Sequence, residues 1–175
     1  MENYKKQYLN EKISYTNQKS FSLCAPDEIT KKRLDMLIKN DLEGFNKRNW
    51  SMVEKIYDKN LVARMRGGMV VNGLDQYMKM AEIGMQAMPD VKITNHEVAF
   101  GCGDFTCVVA NMEGTFTGPM KNPDGTKTDP TQKHFKNRYS VVSKWQGLKI
   151  IREDTYWDQD MDKAMGVDPC KKLKK

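Results

Sequence analysis

This chain of 175 residues has few histidines, and its cysteines form no recognised motif. Only two histidines occur, His96 and His134, so a metal site built on histidine is not expected. The four cysteines match neither a Cys-X-X-Cys metal pair nor the dense spacing of a small secreted framework. Cys102 and Cys107 flank a predicted hairpin turn and could approach each other, but we favour reduced structural thiols.

Long apolar runs are absent as well. No segment approaches the roughly 18 consecutive apolar residues that a helix needs to cross a bilayer. Residues 1–20 also lack the continuous apolar stretch of a signal peptide. We therefore expect a cytoplasmic protein that does not enter a membrane.

The positive charge is not concentrated in a stripe. The formal net charge is +6, and residues 1–20 contribute two of these charges. The other four come from Lys171, Lys172, Lys174 and Lys175. Residues 21–170 are thus formally neutral, which argues against a surface for nucleic acid. The lysine-rich ends are better explained as solubilising tails.

Methionine, by contrast, is abundant. The chain has 13 methionines, and a cluster of them falls in one quarter of the sequence. Methionine fills irregular gaps in a core and also lines adaptable pockets, so the cluster indicates either core or the wall of a pocket. Its members are Met65, Met69, Met78, Met80, Met85 and Met88.

Helical spacing dominates the first half of the chain. A first helix is predicted from a cap at Asp27 to about residue 47, and a capping box at Ser51 opens a second. A third helix runs from Leu74 until Pro89 ends it. Asp41 falls on the apolar stripe of the first helix, where it marks either the edge of the stripe or a pocket.

After Pro89 the spacing becomes alternating. Four long strand candidates cover residues 91–100, 105–116, 135–145 and 148–157. Short turns join them, so they form an antiparallel meander, and helices followed by such a meander predict an α+β domain. We divide the chain into an N-terminal arm (1–26), one domain (27–168) and a basic tail (169–175).

The last strand candidate carries three carboxylates among apolar and aromatic residues. One face holds Arg152, Asp154, Tyr156 and Asp158, and the other holds Ile151, Glu153, Thr155 and Trp157. If the first face is buried, two carboxylates lie beside a phenol, an arrangement that raises a pKa and supports proton transfer. If it is exposed, ion pairs to Arg152 close a solvent face. The sequence leaves both alternatives open.

Several short sequence motifs follow one another in a recognisable order. They are Met88-Pro89-Asp90, Gly103-Asp104, Gly114-Thr115-Phe116-Thr117-Gly118, Pro130-Thr131, and Lys149-Ile150 leading into Trp157-Asp158. Their order and spacing, over about residues 30–168, resemble the SnoaL-like polyketide cyclase family of the nuclear-transport-factor-like cone fold. Phe116 and Ser143 stand where that family often has histidine.

The resemblance implies a cone-shaped fold in which three helices pack against a strongly curved, mainly antiparallel sheet and enclose an apolar cavity. It also implies acid–base catalysis by an aspartate near the end of the final strand, without a metal or cofactor. On that basis we assign Asp158 as the base, Asp154 as a coupled acid and Tyr156 as a hydrogen-bond donor. The expected substrate-binding residues are Trp50, Tyr57, Met78 and Phe116.

Three classes of function stay open. An enzyme for aldol cyclisation or isomerisation needs Asp154 or Asp158 inside the cavity, whereas a carrier of an apolar or aromatic small molecule needs the cavity without a base. An interaction domain needs an exposed apolar sheet face. We also expect a homodimer formed through the outer sheet face. The candidates for that face are Val109, Tyr139, Val141 and Trp145.

Overall fold

The computed structural model describes residues 27–65, 68–121, 125–158 and 161–167. Its helices are α1 (Glu28–Lys39), α2 (Trp50–Ile56), α3 (Leu74–Ala87) and α4 (Met161–Ala164), with a π-helical turn at Asn40–Phe45. Its strands are β1 (Tyr57–Arg64), β2 (Val70–Asn72), β3 (Lys92–Cys102), β4 (Phe105–Thr115), β5 (Met120–Lys121), β6 (Lys127–Thr128), β7 (His134–Gln146) and β8 (Lys149–Trp157). The predicted arm and basic tail lie outside the described residues. None of the described helices is long and apolar enough to cross a membrane.

Six strands form one sheet in the order β2-β1-β8-β7-β4-β3. The four long strands pair antiparallel with one another, as the alternating pattern predicts, and β1 joins β8 in parallel. Strands β5 and β6 form a separate ribbon that the sequence did not predict. The prediction of an α+β fold with a mainly antiparallel sheet is confirmed, with one more short helix than expected.

The helix starts agree only in part with the caps that the sequence suggests. Asp27 caps α1 as predicted, since its side chain accepts from the backbone N–H of Thr30 at 2.8 Å. The predicted capping box at Ser51 is wrong, because α2 begins one residue earlier, at Trp50. The Ser51 hydroxyl donates instead to the side-chain oxygen of Asn49 at 2.7 Å.

The apolar core lies between the helices and one face of the sheet. Trp145 of β7 is 1% exposed and donates its indole N–H to the Thr106 hydroxyl at 2.9 Å, so its polar atom is satisfied. Burial of so large a side chain stabilises the fold by about 3 kcal/mol. Tyr139 and Val141 point the same way and are also buried. The prediction that these three residues lie on an outer, dimer-forming face is therefore wrong.

The cysteine prediction is wrong for one residue. Cys102 is disulfide-bonded, whereas Cys107, half-buried in β4, carries a free thiol. The two cysteines therefore do not pair with each other. A single bridge leaves no characteristic spacing in the sequence, which is why the cysteine pattern did not indicate it.

Candidate active site

A cavity of about 330 Å³ lies between the helices and the inner face of the sheet. Its wall is mostly apolar. The elements from α1 to β4, except β2, contribute to it, together with β7 and β8. Methionine side chains make much of that wall adaptable in shape. The methionines in contact with the cavity are Met65, Met69, Met80, Met85, Met88, Met112, Met120, Met161 and Met165.

The polar centre of the cavity is Glu153, in the middle of β8. The residue is 4% exposed, and two phenols satisfy its two oxygens. The Tyr57 hydroxyl donates to Oε2 at 2.7 Å, and the Tyr77 hydroxyl donates to Oε1 at 2.8 Å. The two tyrosine rings also contact each other, with centroids 5.1 Å apart. A buried carboxyl group is thus held in one orientation by two donors.

Burial raises the pKa of Glu153 to about 7, because the charged form loses its hydration. The two tyrosine hydrogen bonds oppose that rise, and the negative charges of Asp41 and Asp154 add to it. Burial also raises the pKa of both Tyr57 and Tyr77 well above the usual value, so both phenols remain donors at neutral pH. A carboxyl group with a pKa near 7 can take up and release protons readily at neutral pH.

A pairing irregularity turns Glu153 inwards. Trp145 pairs with Ile150 and Lys144 pairs with Arg152, so Ile151 is one extra residue in β8. The extra residue reverses the alternation, and Ile150 and Glu153 are both buried although three positions separate them.

One of the two tyrosines lies at the junction of α2 and β1, and the other lies in α3. Tyr57 is the residue at which α2 passes into β1, and Lys149 fixes that junction. The Lys149 ammonium donates to the backbone carbonyl of Glu54 at 2.8 Å and to that of Tyr57 at 3.4 Å. Tyr77 projects from the beginning of α3, the helix that covers this end of the sheet.

A second polar pair, Asp41 and His96, lies at the wall near the π-helical turn. His96 Nε2 and Asp41 Oδ2 are 2.8 Å apart, and the two side chains are 8% and 14% exposed. Asp41 lines the cavity, so the pocket alternative that the sequence left open for it is confirmed. Burial raises the pKa of Asp41, and the hydrogen bond to His96 limits the rise. Nowhere in the described ranges do three His, Cys, Asp or Glu side chains cluster as metal ligands.

Two of the four predicted substrate-binding residues lie at the cavity. Trp50 and Tyr57 line the cavity. Met78 does not, because it falls off the stripe of α3 that faces the cavity and packs against the core instead. Phe116 is fully buried and packs with Phe135 in a separate apolar cluster, so the prediction that it borders the cavity is also wrong.

The predicted catalytic residues lie on the opposite face of β8. Asp154 forms ion pairs with Arg152 at 2.7 Å and with Arg64 at 3.9 Å. Tyr156 is 59% exposed, and Asp158 is exposed as well. Their expected place in the cavity is therefore wrong, and the alternative of a face closed by Arg152 is correct.

Sequence reasoning missed Glu153, Tyr77 and His96 as residues of the site. Glu153 had a usable signal, since it stands between Ile151 and Trp157 on the more apolar face of the strand. Tyr77 stands among apolar residues at helical spacing in the third predicted helix, a pattern that is typical of core. No local signal marked His96, because most of its neighbours in β3 are exposed.

Comparison of the sequence with protein families supports the resemblance. The family described as SnoaL-like polyketide cyclase matches residues 37–161, which is most of the chain. No curated protein sequence matches.

Solved structures share the fold at low sequence identity. A candidate SnoaL-like polyketide cyclase from Jannaschia sp. CCS1 is 14% identical, with a TM-score of 0.72 over 83% of this chain and 99% of that one. AclR, a candidate hydroxylase from Streptomyces galilaeus, is 14% identical, with a TM-score of 0.63 over 79% and 98%. IdmH, a candidate polyketide cyclase from Streptomyces antibioticus, is 16% identical, with a TM-score of 0.61 over 77% and 95%.

Proposed function

Since the chain belongs to the SnoaL-like polyketide cyclase family, we propose that it is an enzyme that rearranges a small apolar carbonyl compound by proton transfer. The reaction class is an aldol cyclisation or an isomerisation. Glu153 is the observation that carries the proposal. It is a buried carboxyl group with a pKa of about 7, held by two tyrosines in a methionine-lined cavity.

Glu153 takes the role that the sequence assigned to Asp158. Its carboxylate removes a proton from the carbon beside a carbonyl group, and the protonated form later returns a proton to the product. Tyr57 and Tyr77 hold the carboxylate in place while it is charged. Side chains supply every proton transfer in this scheme, so it requires neither a metal nor a cofactor.

The cavity wall indicates an apolar or aromatic substrate. A volume of about 330 Å³ is at the lower end of the range of about 300–1,000 Å³ for small-molecule sites. Trp50, Tyr139 and Trp157 supply aromatic surface, and the rings of the last two contact each other at an angle of 35°, with centroids 5.0 Å apart. A flat ring system fits such walls.

Hydrogen exchange at a simple ketone tests the proposal. We expect the protein to catalyse deuterium uptake into the methyl group of acetophenone in heavy water, followed by NMR. Glu153→Gln keeps the shape of the side chain but removes the base, so the exchange rate should fall about a hundredfold.

The matched control is Asp158→Asn, which changes an exposed carboxylate at the end of the same strand. This variant should exchange at the wild-type rate. Quenching of tryptophan fluorescence by acetophenone should show that all three proteins bind the ketone. Equal exchange rates in wild type and Glu153→Gln would refute the role of Glu153.

The methionine wall favours a second function, non-catalytic carriage of an apolar molecule. Methionine surfaces adapt to ligands of different shape, which suits a carrier better than an enzyme with one substrate. The same experiment separates the two functions. Binding of acetophenone without any exchange, in wild type as in Glu153→Gln, supports the carrier.

Association into a homodimer is a separate proposal. The exposed apolar side chains at the end of the β3–β4 hairpin, Val98, Phe100 and Phe105, are the surface that a second copy would cover. Light scattering at micromolar concentration should give twice the monomer mass, and Phe100→Lys should lower it. A monomeric mass for the wild type would refute the proposal.

A further inference from the structure

The π-helical turn sets the direction of Asp41. The backbone N–H of Asn46 donates to the carbonyl of Asp41 at 3.1 Å, five residues back instead of four. This wider turn places Asp41 against the cavity and leaves its apolar neighbour Leu42 39% exposed. π-helical turns of this kind are frequent at functional sites.

The turn is attached to the strand that carries His96. The side chain of Asn46 donates to the carbonyl of Ile93 and accepts from the Ile93 N–H, both at 2.8 Å. In β3, the pairing with β4 is irregular just before Asn95 and again just after His96. These two irregularities turn His96 inwards on a strand whose neighbouring residues are exposed. Two independent local distortions therefore bring Asp41 and His96 together.

The hydrogen bond to His96 uses only one oxygen of Asp41. His96 contacts Oδ2 and does not line the cavity, whereas Asp41 does. The structure gives Oδ1 no hydrogen-bond partner among the residues that it describes, so this oxygen is available to a bound molecule. The neighbouring residue Asn40 is 3% exposed, lines the cavity and has a buried side-chain oxygen without a partner in the described part of the chain.

We propose that Asp41, positioned by His96, is the second proton-transfer group of the cavity, and that it gives a proton to a substrate oxygen while Glu153 removes a proton from a substrate carbon. This inference rests on the proposed function. In the proposed function, Glu153 alone removes and returns the proton. In the present inference, two carboxyl groups have separate roles. The substrate class that needs both is a compound with two carbonyl groups.

The two roles balance in an intramolecular aldol addition. Glu153 takes the proton from the carbon beside the first carbonyl, and the electron pair of that C–H bond forms the new bond to the second carbonyl carbon. The π electrons of the second carbonyl move to its oxygen, which takes the proton from Oδ1 of Asp41. Glu153 ends protonated and Asp41 ends ionised. Exchange with solvent after product release restores both.

His96 stabilises the ionised product form of Asp41. With its proton on Nε2, the imidazole donates to Oδ2 both before and after Oδ1 loses its proton. Loss of hydration on burial favours the protonated form of Asp41, which is the direction in which its pKa is shifted. His96 is thus a positioning residue, and Asp41 is the residue that touches substrate.

Two probe reactions distinguish the groups. Deuterium uptake by acetophenone needs only the base, whereas cleavage of the aldol adduct of acetone and benzaldehyde needs both groups with their roles reversed. Asp41→Asn should lower the cleavage rate about a hundredfold and change the exchange rate by less than about threefold. Glu153→Gln should lower both rates. His96→Gln, which retains a donor, should lower cleavage less than His96→Phe.

Asp90→Asn and His134→Gln are matched controls, since these residues form an exposed cluster with Thr115 outside the cavity. They should leave both rates unchanged. If Asp41→Asn leaves cleavage unchanged, or lowers both reactions equally, the assigned role is wrong.

If neither probe reacts, the proposed function is refuted. Carbon-13 NMR of the aspartate carboxyl groups then still tests the role of Asp41. The Asp41 signal, identified by its loss in Asp41→Asn, should titrate above the ordinary aspartate value of about 4, and His96→Phe should raise it further. Titration at the ordinary value would overturn the role of Asp41 even if Glu153 proves to be the base.

Discussion

Glu153 and Asp154 are adjacent carboxylates in one strand, and the two faces of the sheet give them different properties. Among the described residues, Glu153 meets two neutral phenols and no cation, so burial raises its pKa to about 7. Asp154 is also largely buried, but Arg152 and Arg64 approach it from the outer side. The comparison shows that burial alone does not determine how a carboxyl group behaves. Beside neutral donors the group holds its proton to higher pH, whereas beside arginine it forms an ion pair.

Burial of the Glu153 carboxylate on the inner face costs free energy, and the ion pairs on the outer face reduce that cost for Asp154. An ionised carboxyl group without a cation is costly to bury, and the group responds by holding its proton to higher pH. Such a cost is typical of a functional position, because a group chosen for stability alone would be apolar or paired. This contrast motivates the assignment of the chemistry to Glu153.

The largest expected effect is on the pH dependence of stability. The pKa of Glu153 is about 7 in the folded chain and 4.5 for a free glutamate side chain. The folded state therefore binds the proton more tightly, and its advantage, complete below about pH 4.5, is lost as pH rises through about 7. The loss amounts to about 3 kcal/mol of unfolding free energy.

Urea unfolding at about pH 5 and about pH 8 measures this effect. Wild type should lose stability between the two, and Glu153→Gln should lose about 2–3 kcal/mol less, because part of the total loss has already occurred at about pH 5. Asp154→Asn should lose only a small part of that dependence, because the charge of Asp154 is the smallest of the causes that shift the pKa of Glu153. If Glu153→Gln and Asp154→Asn behave alike, the two faces do not differ as described.

The fold was largely predictable from periodicity. The helical and alternating patterns located α1, α3 and the four long strands to within a few residues, because regular burial of one face leaves a regular sequence. Tertiary pairing decided the rest. The parallel contact of β1 with β8 and the short β5–β6 ribbon depend on partners far along the chain.

The site was less predictable, because it depends on local irregularities. Strict alternation from the fully buried Ile150 puts Asp154 and Asp158 inside, and the extra residue Ile151 reverses that assignment. The π-helical turn similarly moves Asp41 from the edge of a stripe to a cavity wall. Neither irregularity leaves a mark in the hydrophobic pattern.

A smaller effect is expected from the phenols. The Tyr57 hydrogen bond lowers the pKa of Glu153, so Tyr57→Phe should raise that pKa by about one unit. Tyr156→Phe, on the outer face, should leave it unchanged, since Tyr156 is exposed. Carbon-13 NMR titration of the glutamate carboxyl groups measures both variants. A pKa of Glu153 that falls in Tyr57→Phe would contradict the assigned hydrogen bond.

The smallest effect is expected on the outer face, from loss of an ion pair. Arg152 lies 2.7 Å from Asp154, but its side chain is 43% exposed, so water screens the attraction. Arg152→Gln should cost about 0.5–1 kcal/mol of unfolding free energy, and added salt should reduce the difference. Arg64→Gln should cost less, because its contact with Asp154 is longer, at 3.9 Å, and its side chain is 57% exposed. Neither change should alter acetophenone exchange, since both arginines lie on the face opposite the cavity. A loss above about 2 kcal/mol in Arg152→Gln would mean that Asp154 depends on its partner as a fully buried charge does.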